Sequence, residues 1–170
     1  ILHPRADIPI YTGSMAPKSQ EWCAENLDGC LLTCMNPEKP EAIYENFERG
    51  FARAGGGKSL SNGFDLAPSV ACIVGEDLDA LRAPLKFSLA LYIGGMGSRK
   101  TNFYNAYLRR AGFEEDAVRI QDLYLSGDKN AAIAAVPDEM VDALYLVGTR
   151  ERIRDRLQVW QESGVGTLLI

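Results

Sequence analysis

The sequence is poor in histidine and cysteine, the residues that most often bind transition metals. It holds one histidine, His3, and four cysteines among 170 residues. No two cysteines form a Cys-x-x-Cys pair, so the spacing typical of structural zinc sites is absent. A Ser-His-Asp or Cys-His catalytic centre would have to use His3, in a Pro-flanked terminal stretch where chains usually fray. We therefore predict no metal site, and the cysteines are typical of small buried residues in a reducing cytosol.

Basic charge and long apolar runs are also scarce. The 18 Lys and Arg residues are outnumbered by 23 Asp and Glu, for a net charge of -5. An acidic chain with interspersed signs lacks the basic surface that nucleic-acid binding requires. No apolar run approaches the roughly 20 residues of a membrane helix, and residues 1–5 lack the basic start of a secretory signal. These absences predict a cytoplasmic protein with no nucleic-acid or membrane partner.

The residues that are present have ordinary globular proportions, with 46% hydrophobic and 24% charged. A chain of this length buries roughly 70% of its unfolded surface, which is enough for one core. Because no linker or repeat divides the chain, residues 1–170 are predicted to form a single unit. The chain begins without Met and ends on an apolar run, residues 165–170. We expect it to be part of a longer protein.

Alternating apolar patterns and turn residues predict an α/β fold with a parallel sheet and right-handed crossovers. Strands are predicted at residues 8–12, 30–34, 64–74 and 165–170. Pro68 is awkward inside the third of these strands. Helices are predicted at residues 19–27, 40–53, 77–92, 102–111, 114–126, 129–135 and 137–143, and after Thr149, a good N-cap.

In parallel α/β folds, ligands bind where the carboxyl ends of strands meet the amino ends of helices. The first such junction is residues 12–19, Thr-Gly-Ser-Met-Ala-Pro-Lys-Ser. Its small residues let backbone N–H groups approach a phosphate, the helix terminus adds partial positive charge, and Lys18 adds a full one. The segment is not a Walker loop. A plain turn between strand and helix remains the alternative to anion binding.

Two further segments carry polar groups at predicted turns. Thr33 and Asn36 follow the second strand, although a simple Asn-Pro turn explains them equally well. Gly94-Gly-Met-Gly97 precedes Arg99 and Lys100, and a glycine cluster beside two cations is suited to an acidic ligand. This cluster follows a helix rather than a strand, so it is not a dinucleotide fingerprint. A helix-terminal loop with solvated charges is the alternative.

Five ordered segments together resemble the C-terminal half of the luciferase-like oxidoreductases. That family includes bacterial luciferases, flavin-dependent monooxygenases and deazaflavin-dependent oxidoreductases. The segments are residues 8–18 (IPIYTGSMAPK), 28–33 (DGCLLT), 91–97 (LYIGGMG) with 102–104 (NFY), 146–152 (LVGTRER) and 164–170 (GVGTLLI). The third segment is the one most similar to deazaflavin-dependent members.

The resemblance implies a (β/α)8 TIM barrel, of which this chain supplies strands five to eight with a helical insertion before the last strand. It implies that Thr33 and Cys34 line the cofactor pocket and that Arg99 and Lys100 lie nearer the substrate. It also implies that the first junction lines the flavin or deazaflavin site near the phosphate-bearing tail, through Gly13, Ser14, Met15, Ala16, Pro17 and Lys18. Ala16 stands where glycine is usual, which narrows the approach to a phosphate.

The activity implied by the resemblance is hydride transfer between coenzyme F420 and a small organic substrate. In such enzymes the cofactor carries the chemistry and the protein orients it. An FMN-dependent monooxygenase, a non-catalytic barrel subunit and an unrelated barrel enzyme remain alternatives. In this family much of the ring pocket comes from strands one to four. We therefore name no catalytic residue and expect the segment alone to be inactive, pairing with the N-terminal half of the barrel or with a second copy as a homodimer.

Overall fold

The structure, a computed structural model, describes Arg5 and residues 7–170; His3 lies outside this part. Its five strands are β1 (Tyr11–Gly13), β2 (Gly29–Thr33), β3 (Asp65–Ser69), β4 (Cys72–Val74) and β5 (Leu146–Gly148). Its α-helices are α1 (Pro17–Asn26), α2 (Glu41–Ala54), α3 (Leu78–Ala90), α4 (Phe103–Arg110), α5 (Glu114–Leu125), α6 (Lys129–Ala134), α7 (Asp138–Leu144) and α8 (Arg150–Glu162). The chain therefore has the mixed α/β fold that was predicted.

The strands form two parallel sheets. The first has the order β1-β2-β3, with Thr12 opposite Cys30 and Cys30 opposite Leu66. The second pairs β4 with β5, Ile73 lying opposite Val147. Parallel pairing requires crossover connections, and helices α1 and α2 supply them in the first sheet.

The predicted third strand, residues 64–74, is in fact two strands that belong to different sheets. The ladder with β2 ends at Ser69, and the backbone N–H of Val70 donates to the carbonyl oxygen of Leu169 (2.8 Å). Beyond this point β4 pairs with β5 instead. The sequence does not predict strand β5, because its three residues form a short apolar run that leads directly into the last helix.

The predicted strand at residues 165–170 is also shorter than expected. In the described residues it pairs with β3 only through a parallel bridge between Ser69 and Leu169. The N–H groups of Gly166 and Thr167 both donate to the carbonyl oxygen of Leu66, so the segment bends toward β3 before the bridge. The chain thus reaches the side of β3 away from β2.

Helices α1 and α2 cover one face of the first sheet. Cys30, Leu32 and Leu66 point into this covered face and are at most 2% exposed. Phe47 of α2 packs against both Phe51 and Phe64, with ring centroids 6.4 and 5.5 Å away, and those two rings also contact each other (5.1 Å). The opposite face, which we call the open face, carries the alternate side chains of the same strands.

Helix α3 continues directly into a π-helix, Leu91–Gly95, where the sequence predicted one helix over residues 77–92. Asp77 caps α3 by accepting from the N–H of Ala80, and Pro84 lies inside the helix. Asn102 and Thr149 cap α4 and α8 in the same way. Among the described residues, no helix is both long and apolar enough to cross a bilayer.

Candidate functional site

A cleft of about 580 Å³ lies at the carboxyl ends of β1, β2 and β3, where parallel sheets usually bind ligands. One wall is the segment between β1 and α1, and the other is the start of α4. Its lining comprises Gly13, Ser14, Met15, Ala16, Ser19, Leu31, Leu32, Thr33, Ser69, Phe103, Tyr104 and Leu169. The fold therefore brings five of the eight residues predicted to bind the cofactor into one cavity.

The wall beside α1 is built to leave hydrogen-bond donors free. Pro17 occupies the first turn of the helix, and Ala16 at the N-cap offers no side chain to bond the first N–H groups. The backbone of Ser14 is held in place, since its N–H donates to Leu31 (3.3 Å) and its carbonyl accepts from Gln20 (3.2 Å). The positive end of the α1 dipole thus faces a rigid turn.

Ser14 is the most informative residue of this wall. It is only 7% exposed, yet its Oγ has no hydrogen-bond partner within the described part of the chain. Buried hydroxyl groups are nearly always paired, so such an atom needs an explanation. A phosphate oxygen in the cleft would accept from Ser14 Oγ and from the free N–H groups of α1. The residues present therefore fit a phosphate-bearing group.

The end of β2 separates two neighbouring residues. Thr33 is exposed in the cleft, with its Oγ1 4.0 Å from the sulfur of Met15. Cys34 has a left-handed backbone (φ 56°), so its side chain turns away into the core, where Sγ lies 3.7 Å from Tyr145 Oη. Burial raises the pKa of the Cys34 thiol to about 11, so it is neutral at physiological pH.

The remaining predicted positions lie outside the cleft lining. Pro17 belongs to the first turn of α1, and Lys18 is exposed on the same helix. Arg99 and Lys100 lie exposed in the turn before α4, where Arg99 forms an ion pair with Asp122 of α5. Contact of these residues and of Cys34 with a cofactor or substrate stays a prediction.

The glycine cluster before this turn has a packing role. A Cβ atom on Gly94 would lie 2.3 Å from Tyr124 Cβ, and one on Gly95 would lie 2.6 Å from Tyr124 Cε1. Both glycines belong to the π-helix, and the Tyr124 side chain of α5 lies directly against them. This packing accounts for both glycines, and an acidic ligand beside Arg99 and Lys100 stays a prediction.

The predicted site residues leave out seven that line the cleft: Ser19, Leu31, Leu32, Ser69, Phe103, Tyr104 and Leu169. Ser69 was hidden because the sequence predicts one strand over residues 64–74, and only the structure shows that β3 ends at Ser69. Phe103 and Tyr104 belong to the 102–104 segment of the family resemblance, but no local pattern places them at the cleft, since they approach it from a helix far along the chain.

Two larger hollows lie away from the strand ends, one between α5 and α6 and one beside α7, β5 and α8. In the second, Asp142 binds both Arg82 and Arg152, each with an N···O distance of 2.6 Å. Arg82 also pairs with Asp138 (3.0 Å), so these charges link α3, α7 and α8. No group of three or more potential metal ligands occurs in the described residues.

The chain is similar to one protein family and to several known proteins. The model of the luciferase-like monooxygenase family matches residues 1–167. Rv3520c of Mycobacterium tuberculosis, named as a coenzyme F420-dependent oxidoreductase, is 36% identical over 171 residues, covering 100% of this chain and 49% of its own length. The 5,10-methylenetetrahydromethanopterin reductase of Archaeoglobus fulgidus is 29% identical over 163 residues, covering 93% of this chain and 46% of its own.

Among solved structures, the coenzyme F420-dependent tetrahydromethanopterin reductase of Methanopyrus kandleri superposes with a TM-score of 0.72 and 26% identity. The match covers 97% of this chain and 45% of that enzyme. The chain therefore spans about half the length of the curated relatives it matches, and it has part of their fold.

Proposed function

Since this chain belongs to the luciferase-like monooxygenase family, we propose that it is the C-terminal half of a (β/α)8 barrel oxidoreductase. The complete protein would transfer a hydride between coenzyme F420 and a small organic substrate. Support comes from the relatives that carry F420 dependence in their names and from the position of the cleft at the strand ends. The free thiols of all four cysteines accord with a cytoplasmic location.

The single observation that carries the cofactor proposal is the unpartnered Oγ of Ser14 in the cleft. We assign the phosphate-bearing part of the coenzyme to Ser14 and the amino end of α1, with Gly13, Met15 and Ala16 beside it. The bound coenzyme supplies the hydride chemistry. This chain binds and orients the coenzyme, and Thr33 and Ser69 add hydroxyl groups at the neighbouring strand ends.

The open face supports the proposal that a second half completes the barrel. Tyr11, Leu31 and Leu169 lie on this side of the first sheet with exposed fractions of 36%, 40% and 40%. In the described residues β1 has only β2 as a neighbour, so its other edge is unpaired. Closing a barrel covers both the inner face and the strand edges. The N-terminal half is the proposed partner, and a homodimer is the alternative that sedimentation of the isolated chain would reveal.

A binding experiment on the complete protein tests the cofactor proposal. Titration of coenzyme F420, followed by its fluorescence, is expected to saturate, and Ser14→Ala is expected to weaken binding about tenfold because a buried donor to the phosphate is lost. Ser126→Ala, on an exposed loop after α5, is the control and should bind as the parent does.

Other outcomes of this titration would contradict the proposal. Tighter binding of FMN than of F420 would favour an FMN-dependent monooxygenase. Failure to bind either cofactor, together with absence of redox activity, would favour a non-catalytic barrel subunit. If the Ser14→Ala variant binds F420 as tightly as the parent does, the phosphate is not bound by this wall.

A further inference from the structure

The wall of the cleft opposite α1 is aromatic. Phe103 and Tyr104, the first two residues of α4, both line the cavity. Phe103 is 59% exposed, although a phenyl ring gains free energy when it is buried. Tyr104 is half-buried beside it, and its ring lies against Tyr92 with a centroid distance of 4.7 Å. The cleft thus has one wall suited to an anion and one suited to an apolar or planar surface.

The aromatic wall is held by Asn102, which is 4% exposed. Its Oδ1 caps α4 by accepting from the N–H of Asn105 (3.0 Å). Its Nδ2 donates to the carbonyl oxygens of Tyr92 (2.9 Å) and Ile93 (2.8 Å), both in the π-helix. One side chain therefore joins the start of α4 to the π-helix.

The π-helix leaves acceptors for Asn102, because Tyr92 and Ile93 lie among its last four residues, whose carbonyl oxygens have no partner within a helix. It is fixed in turn by Tyr124, which packs directly on Gly94 and Gly95. This chain of contacts runs from α5 through the π-helix to Phe103 and Tyr104. The backbone that carries this wall is consequently anchored by buried contacts, even though Phe103 faces solvent.

We propose that Phe103 and Tyr104 form the wall that packs on the carbon skeleton of the coenzyme, while Asn102 is the positioning residue that holds this wall. The inference rests on the proposed function, since it concerns the same cleft. It assigns the two ends of one amphipathic ligand to opposite walls: the phosphate to Ser14 and the apolar part to the rings.

The test uses the complete protein and two probes, coenzyme F420 and the deazaflavin chromophore without its phosphate-bearing tail. Phe103→Ala is expected to weaken binding of both probes by about fivefold, since the ring contacts the part they share. Ser14→Ala is expected to weaken binding of F420 alone. The control is Phe87→Ala on α3, a ring of matched exposure (61%) outside the cleft lining, which should change neither affinity.

The outcomes separate the inference from the function on which it rests. If Phe103→Ala binds both probes within twofold of the parent while Ser14→Ala loses affinity for F420, the wall assignment is wrong and the proposed function stands. If the parent protein binds neither probe, both are wrong. If Phe103→Ala loses affinity for F420 but not for the tail-free chromophore, the wall contacts the tail, and the assignment to the carbon skeleton is overturned.

The role of Asn102 is tested by Asn102→Asp, which keeps the cap acceptor but removes the two N–H donations. Affinity for both probes is expected to fall about threefold or more, and combining it with Phe103→Ala should add little, because both changes act through one wall. Asn36→Asp is the control: Asn36 is equally buried (4%) and its Nδ2 donates to the carbonyl oxygen of Ala111 (3.0 Å), outside the cleft lining, so the change should lower stability without changing affinity. Additive losses in the double variant would overturn the positioning role.

Discussion

The two faces of the β1-β2-β3 sheet differ sharply although the same strands make both. Leu32 is 2% exposed on the covered face, whereas its neighbour Leu31 is 40% exposed on the open face. The alternation follows from strand geometry, which sends successive side chains to opposite sides. The covered face is complete within this chain, since α1 and α2 close it. The open face leaves apolar side chains such as Leu31 uncovered within the described residues, and the proposed second half of the barrel would cover them.

The open face nevertheless carries specific hydrogen bonds at the amino ends of its strands. Asp65 Oδ2 accepts from Tyr11 Oη (2.9 Å) and from Thr167 Oγ1 (2.8 Å). These bonds link β1, β3 and the segment after α8 across the sheet. The same face therefore carries a polar cluster at one end (Tyr11, Asp65 and Thr167, the polar clasp) and the cleft at the other.

Leu32→Ala is expected to have the largest effect on stability, and it tests the difference between the covered face and the open face. Removal of this buried side chain is expected to lower the free energy of unfolding by about 3 kcal/mol, the usual cost of a cavity in a packed core. Leu31→Ala is the matched control, and in the isolated chain it should cost less than about 1 kcal/mol, because the side chain is already partly solvated. Urea denaturation measures both, and equal losses would contradict the distinction between the faces.

A second substitution probes how tightly the open face is built near the polar clasp. A Cβ atom on Gly29 would lie 2.2 Å from Tyr11 Cε1 and 2.6 Å from the carbonyl oxygen of Asp65. Gly29→Ala is therefore expected to lower the free energy of unfolding by about 2 kcal/mol through overpacking.

Gly13→Ala is the control for this change on the neighbouring strand. An added Cβ there meets only the carbonyl oxygen of Leu31, at 4.0 Å. Thermal unfolding should show little change for Gly13→Ala and a clear decrease in Tm for Gly29→Ala. Similar Tm values for the two variants would mean that Tyr11 moves freely.

The smallest expected effect is the pH dependence of stability that comes from Cys34, whose side chain points into the core rather than into the cleft. Burial raises the folded-state pKa of Cys34 to about 11 from 9.0. The unfolded chain loses this proton first as the pH rises, so Cys34 stabilises the fold below about pH 9, and this contribution is lost as the pH rises through 11. Denaturation at pH 8 and pH 11 should show a fall of about 1 to 2 kcal/mol attributable to Cys34.

The Cys34→Ala variant should show a smaller decrease in stability over that interval, whereas Cys72→Ala, at a partly exposed cysteine, should follow the parent chain. A fall of equal size in the parent and in Cys34→Ala would assign the pH dependence to other groups, such as Tyr107 and Tyr145, whose pKa values burial also raises.

Much of the fold was predictable because its signals are local. The apolar spacing of Ile43, Phe47 and Phe51 predicts α2, and the run from Cys30 to Thr33 predicts β2. The division of residues 64–74 into β3 and β4 was not predictable in this way. It depends on Leu169 and β5, segments more than 70 residues further along the chain, which replace β2 as partners.

The candidate site likewise contains some residues that local sequence identifies and others that only distant contacts place. Gly13, Ser14 and Thr33 sit at a turn and a strand end that the sequence identifies, and the structure brings them to one cleft. Cys34 was predicted beside Thr33, but its left-handed backbone turns it into the core. Phe103 and Tyr104 reach the cleft only through the π-helix and Asn102, for which no short-range pattern exists.

From residue order alone came the alternation of strands and helices, the glycine-rich turn before α1 and the absence of metal-ligand spacing, because each depends on near neighbours. Tertiary packing decided which face of each strand is covered, which strand pairs with which, and which side chains meet at the strand ends. Those outcomes depend on contacts between distant segments, whose competition for the same hydrogen bonds and buried surface is settled only when the chain folds.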